Sequence, residues 1–422
     1  MNRWLTISSL FINYFVFAIL LNSVGIVILQ VQESYAVTKT AASTLEAFKD
    51  LPIAITSFFV ASFLVRLGYK RTMLAALAAI GLVCLLMPQV PKFWMTQMLF
   101  AATGICFGLV KVSVFASLTL VTRDRREHVS MMSFLEAFFM VGVLSNYFIF
   151  SAFIDNQPGS TSWLNVYYVL AALSAFALVL LLRVELNESS LTTETNKPFA
   201  EEFAEMLKLA IQPLVLIFII CAFLFVLIEQ SFMTWLPTFN KNAWNMTNSL
   251  SVQMTSILGA ALALGRFAGG IMFRYIDWFK VLAAGLILAA VLLVISLRMS
   301  AQMSAQVSGD QVIATWGQAP LAAYLFPLIG LCIAAIYPAI NSAVLSALPS
   351  RQHAPMAGLI VVFSALGGTT GSMLTGLLFQ NYGGQTAFYA TLIPIAALIA
   401  ALYLFKRKTD EIAASRELTP AQ

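Results

Sequence analysis

Twelve stretches of this chain are apolar for long enough to cross a bilayer, and that recurrence decides what it can fold into. They cover residues 4–29, 42–65, 72–88, 93–121, 130–154 and 163–182, then 213–235, 250–273, 281–297, 320–348, 355–378 and 387–405. A helix needs about 20 residues to traverse the hydrocarbon core. Inside lipid every backbone N–H and C=O must be paired within its own segment, so runs of this length close into helices. Composition agrees, because only 10% of the residues are charged and 60% are hydrophobic, whereas a soluble domain carries about 25% charged residues. The expected fold is an all-α integral membrane protein of 12 transmembrane helices.

The spans fall into two sets of six. Between them lies the longest hydrophilic stretch, 183–212, which contains Glu185, Glu188, Glu194, Glu201, Glu202 and Glu205. The predicted layout is an N-terminal six-helix bundle over 1–182, a linker over 183–212 with a short amphipathic helix after Pro198, a second bundle over 213–405, and a tail over 406–422. Placing both termini on one side puts seventeen Lys and Arg there and four, Lys39, Lys92, Lys241 and Arg298, on the other. By the positive-inside rule both termini and the linker are cytoplasmic. Basic cytoplasmic loops also account for the formal net charge of +5. No Lys/Arg block is long enough to hold nucleic acid. Arg3 precedes an apolar run with no small-residue cleavage site, which predicts a retained first span rather than a signal peptide.

Four cysteines, all inside apolar runs and without C-x-x-C spacing, exclude a disulfide framework. They and the two histidines, His128 and His353 in polar loops, offer no metal-ligand pattern. No cofactor is expected, and no nucleophile–base set suggests an enzyme. A phosphate-binding loop is also missing: Gly367-Gly368-Thr369-Thr370-Gly371 lacks its lysine and is expected to pack helices closely.

The halves echo each other. Phe63-Leu64-Val65-Arg66 closes the second span and Ile271-Met272-Phe273-Arg274 the eighth, their arginines 208 residues apart. Two similar six-helix bundles joined by a cytoplasmic linker resemble the layout of the major facilitator superfamily, which implies a substrate site between the halves near the midplane. Gly265-Arg266-Phe267-Ala268-Gly269-Gly270, Lys280-Val281-Leu282-Ala283-Ala284 and Ile336-Tyr337-Pro338-Ala339-Ile340, with Gly367-Gly368, resemble more particularly its L-fucose permease branch of sugar:proton symporters. The superfamily's motif after the second span survives as Arg66-Leu67-Gly68-Tyr69-Lys70, with Ala61 at its Gly and Val65 at its Asp. The resemblance implies acids in spans one and four for sugar binding and proton coupling. Those positions hold Ser23, following Asn22, and Lys111, while a family Gln in span five falls at Glu136. What it implies is therefore a solute transporter of this fold without fucose specificity.

An ionisable group near the bilayer centre costs about 2.5–3.5 kcal/mol on insertion scales, so each needs a partner, a wet cavity or a function. Lys111 lies ten residues before Val121, about 15 Å from the cytoplasmic end of its span. Glu136 is close enough in height to be its partner. The pair either binds and couples an anion or holds two helices together. Glu46, Lys49 and Asp50, at i, i+3 and i+4 on one helix face, form a self-paired end or an outer gate, with Asp50 the carboxylate left under-neutralised. Glu229, sixteen residues from Pro213, is expected in the outer third of span seven without a basic neighbour in sequence, placed to accept and release a proton. Arg266 reads as a structural arginine near the inner end of span eight. Asn22, Asn146, Tyr337 and Asn341 could hydrogen-bond a ligand or glue helices.

The expected protein is a monomeric multi-pass transporter of the plasma membrane, the inner membrane in a bacterium. It would move a small polar organic solute, an anion where Lys111 binds it, by alternating access, with protons as the coupling ion. An exporter of amphipathic or toxic compounds and a non-transporting membrane sensor are the alternatives.

Overall fold

The computed structural model describes residues 3–122, 125–186, 199–306, 312–349 and 352–417. Most of the first half of the expected linker, 187–198, and the end of the tail, 418–422, lie outside them. The chain divides into two compact units, Met1–Asn196 and Lys197–Gln422. The first contains α1 (Arg3–Asn22), α2 (Val24–Tyr35), α3 (Lys39–Leu67), α4 (Tyr69–Leu86), α5 (Phe93–Val121), α6 (Arg125–Ser151) and α7 (Val166–Leu182). The second contains α8 (Phe199–Ala210), α9 (Pro213–Trp244), α10 (Asn248–Met272), α11 (Trp278–Gln306), three short pieces α12 (Leu321–Leu325), α13 (Ile329–Ile333) and α14 (Ile336–Ala347), then α15 (His353–Tyr389) and α16 (Leu392–Glu417).

The first expected span is two helices. At the break, Ser23 Oγ donates to Leu20 O at 2.7 Å and Asn22 Nδ2 to Ala18 O at 2.8 Å. Short polar side chains that bond to nearby carbonyls compete with the helix ladder. Asn146 Nδ2, from α6, donates to the Asn22 carbonyl at 2.9 Å. Between α3 and α4 the chain reverses through Gly68 at φ 82°, a conformation glycine adopts without the penalty a Cβ would bring. The helix expected after Pro198 is α8, which turns Met206 and Leu209 inward.

Each unit repeats one packing order. Its first span lies on its fifth, its second on its fourth and its third on its sixth: α1 on α6, α3 on α5 and α4 on α7, then α9 on α15, α10 on α13 and α11 on α16. Glycines make the close approaches that membrane helices use in place of a hydrophobic drive. A Cβ on Gly104 of α5 would stand 2.3 Å from the Lys49 carbonyl of α3, and one on Gly265 of α10 would stand 2.4 Å from the Leu331 carbonyl. Gly367 and Gly371 of α15 lie against the Phe223 and Leu227 carbonyls of α9 in the same way. The glycine run of span eleven thus packs helices.

Among the described residues, ten helical runs are long and apolar enough to cross a membrane. The two expected spans outside that set are 42–65, in α3 with its three charges, and 387–405, which straddles the α15–α16 junction.

Candidate substrate and coupling site

Two polar clusters stand out, one in each unit. In the first, α5 carries Lys111 with Phe107 and Phe115 one turn to either side, and i±4 spacing puts all three on one helix face. The Lys111 ammonium lies 5.8 Å from the centroid of Phe107 and 5.9 Å from that of Phe115. Tyr14 of α1, buried in the core, packs on Phe107, Phe115 and Phe139, with its ring 4.9 Å from Phe139. Its hydroxyl donates to Glu136 Oε1 of α6 at 3.1 Å.

The expected direct Lys111–Glu136 contact is not what the geometry gives. Among the described residues no carboxylate lies within 4.0 Å of the Lys111 ammonium. Glu136 is exposed and takes its hydrogen bond from Tyr14, although it is near enough for its charge to act on Lys111. Sequence spacing along two helices fixes height but not azimuth. Tyr14 was the missed residue, and its signal was a lone phenol in an apolar first span, whose O–H needs a partner once buried.

In the second unit Glu229 sits midway along α9 and faces Arg266 of α10, Nη2 to Oε1 3.6 Å. The carboxylate that lacks a basic neighbour in sequence thus has a basic partner in space, and the arginine read as structural is the one brought to it. The 32 residues of α9 span about 48 Å, well beyond a hydrocarbon core of about 30 Å. A count from Pro213 therefore gives the position of Glu229 along the helix and not its depth in lipid. Tyr337 of α14 stacks on Phe225 of α9 at 5.8 Å and 26°. Its hydroxyl is 3.0 Å from Ser364 Oγ of α15, beside the Asn341 amide, and within electrostatic reach of Glu229 and Arg266. Asn341 Oδ1 is buried without a hydrogen-bond partner. A phenol, an amide with an open acceptor and an ion pair thus converge from three helices.

The other candidates stand apart. Asn22 and Asn146 hold the α1–α2 break. Glu46, Lys49 and Asp50 form a buried cluster in α3, with Lys49 bonded to Glu46 and 3.4 Å from Asp50. Among the described residues no group of His, Cys, Asp and Glu is arranged to hold a metal ion.

A transporter of repeated helical bundles is the class that this fold and these intramembrane charges define. The family model of the Major Facilitator Superfamily matches residues 10–318, and the chain belongs to that superfamily. It is therefore a multi-pass membrane transporter and not an enzyme. Among solved structures it resembles a bacterial homolog of the human lysosomal transporter Spinster, inward-facing and unoccupied, with a TM-score of 0.77 at 12% identity over 97% of this chain and 98% of that one. The nucleoside transporter NupG is similar at a TM-score of 0.69 and 14% identity, over 96% of this chain and 99% of that one. At such identities the likeness concerns the fold. No relative among curated proteins matches.

Proposed function

We propose that this chain is a proton-coupled symporter of a small organic anion, with 12 spans and both termini cytoplasmic, working as a monomer in the plasma membrane. One observation carries the reading: the Lys111 ammonium is held between two aromatic faces, and among the described residues no carboxylate lies within 4.0 Å of it. A cation inside a membrane span costs free energy until a counter-charge arrives. A substrate carboxylate or phosphate supplies that charge, and the surrounding rings accept its apolar body. The fucose-permease resemblance supports a symporter, and the replacement of a family acid by Lys111 reverses the charge the site prefers.

Proton coupling is assigned to Glu229 and Arg266. While Glu229 is ionised it holds the guanidinium. A proton on Glu229 removes one charge of the pair and frees Arg266, whose donors then turn to other acceptors such as Asn341 Oδ1 or the substrate. The proton goes to the carboxylate oxygen nearest Arg266 and leaves from it, so no other chemistry is needed. Asp50 is a weaker candidate for this role, since its partner Lys49, 3.4 Å away, lies on the same helix and its protonation would release no contact between helices.

Liposome uptake tests the reading. Candidate sugars, carboxylates and nucleosides are first screened by thermal shift on the purified protein, and hits are assayed with and without a pH gradient. Accumulation should follow the proton gradient, ignore sodium and favour anions. Glu229→Gln should lose gradient-driven accumulation yet keep counterflow exchange. Uptake that requires sodium and ignores pH would overturn the proton assignment, and equal uptake of a neutral analogue would overturn the anion assignment.

A further inference from the structure

We infer that the outer face of α11 and α16 is a binding site for an anionic phospholipid. Between these helices runs a groove of about 480 Å³ lined by Ile287, Val291 and Ile295 of α11 and Leu392, Ile395 and Ile399 of α16. Its α11 wall is open, with Ile287 56% and Val291 47% exposed. A wholly aliphatic groove of this size, on a helix that crosses the membrane, suits an acyl chain.

Charge at one end selects the headgroup. Ile287 and Ile399 lie seven residues from Lys280 and Lys406, so both lysines stand about 10 Å beyond the same end of the groove. Lys406 bonds Asp277 at 2.8 Å and lies 5.7 Å from the centroid of Phe279. Arg274 and Lys280 are exposed, and among the described residues no carboxylate pairs with either. Two cations are thus free for an incoming phosphate. Aromatic rings stand at the level of these charges: Trp278 is 6.0 Å from Phe405 and Phe279 is 6.2 Å from the exposed Tyr403. Trp and Tyr settle at the headgroup level of a bilayer. The apolar groove thus ends at a level that carries both aromatic rings and free cations, as a phospholipid's tails end at its headgroup. Nothing in this inference depends on the proposed substrate.

Native mass spectrometry of the purified full chain in detergent tests it, using phosphatidylglycerol and phosphatidylcholine with identical acyl chains. Phosphatidylglycerol should be retained preferentially, by about five-fold for each cation that meets the headgroup. Arg274→Gln with Lys280→Gln should bring the two lipids level, while Val291→Trp, on a face that already meets the bilayer, should reduce retention of both. Inorganic phosphate alone should neither bind tightly nor displace the lipid. Equal retention of the two lipids by the natural chain, or no effect of Val291→Trp, would overturn the site. A second copy of the chain seen in place of bound lipid would also overturn it, because the groove would then be a dimer face.

Discussion

Replacing Lys111 by Met separates a working charge from a structural one, and the geometry sets the expected size. A lysine near the middle of a span costs about 2.5–3.5 kcal/mol on insertion scales. Its contacts with Phe107 and Phe115, at 5.8 and 5.9 Å, each return about 0.5–2 kcal/mol. The two sums nearly cancel, and a methionine adds sulfur–aromatic packing against the same rings. Lys111→Met should therefore leave the denaturation midpoint in detergent unchanged or raised. Removing one member of a directly bonded buried pair costs about 3–5 kcal/mol instead. Glu136 is not stranded by the change, because it is exposed and keeps the Tyr14 hydroxyl at 3.1 Å. A double-mutant cycle with Glu136→Gln should accordingly show a coupling of at most about 1 kcal/mol, the scale of a solvated pair. In liposomes Lys111→Met should abolish uptake of the anion and Lys111→Arg should retain part of it. A single mutant that unfolds readily, with stability restored in the double mutant, would refute the reasoning and return the pair to a scaffold role. Normal uptake by Lys111→Met would refute the assignment of substrate binding.

Gly104→Ala should destabilise by about 1–3 kcal/mol, since its Cβ would stand 2.3 Å from a backbone carbonyl, whereas Gly270→Ala, with open space around it, should be neutral in the same assay. Tyr14→Phe removes the hydroxyl that bonds Glu136, so its effect on the denaturation midpoint should be masked when Glu136→Gln is already present. The Lys406 ammonium bonded to Asp277 holds that carboxyl below its ordinary value. The contribution is therefore present above the unfolded carboxylate pKa of about 3.9 and is lost as pH falls through the lower folded value. Asp277→Asn should therefore lower stability slightly above about pH 4 and flatten its loss below that pH, and an unchanged acid limb would refute the bond. An Ala204→Cys thiol on the exposed face of α8 should resist membrane-impermeant reagents in intact cells; ready labelling would overturn the cytoplasmic assignment.

The repeat and the helical class were legible because lipid leaves the backbone few choices. Runs of apolar residues locate helices, and the glycines of span eleven announce close packing before any coordinate is known. The breaks were harder. Residues 320–348 read as one span, yet they form α12, α13 and α14 with a 3₁₀ turn at Phe326–Leu328, because Pro327 lies inside the run and lacks the N–H that a continuous helix needs there. Lys111, Glu136 and Glu229 were legible as single charges in apolar runs. Their partners were not, since Arg266 meets Glu229 across a helix pair and Tyr14 meets Glu136 from a helix 122 residues away in sequence. Such pairings depend on helix rotation and on how far each helix extends past the lipid, and neither quantity is written in local spacing.

The two units share a packing order but not a charge pattern, and the difference bears on mechanism. The first presents an ammonium that no carboxylate among the described residues meets, so a bound anion changes its energy most. The second presents a carboxylate whose counter-charge is already in place, so a proton changes its energy most. If both ligands act through one alternating-access equilibrium, each needs only to favour the same state to promote binding of the other, and the coupling is reciprocal. Raising proton concentration should then tighten anion binding, and Glu229→Gln, which fixes the neutral form, should hold the tighter affinity at every pH. Titrating substrate affinity by thermal shift across pH in the natural chain and in Glu229→Gln measures this directly. A pH-dependent affinity that persists unchanged in Glu229→Gln would place the coupling proton elsewhere, and the buried Asp50 beside Lys49 would be the next carboxylate to test.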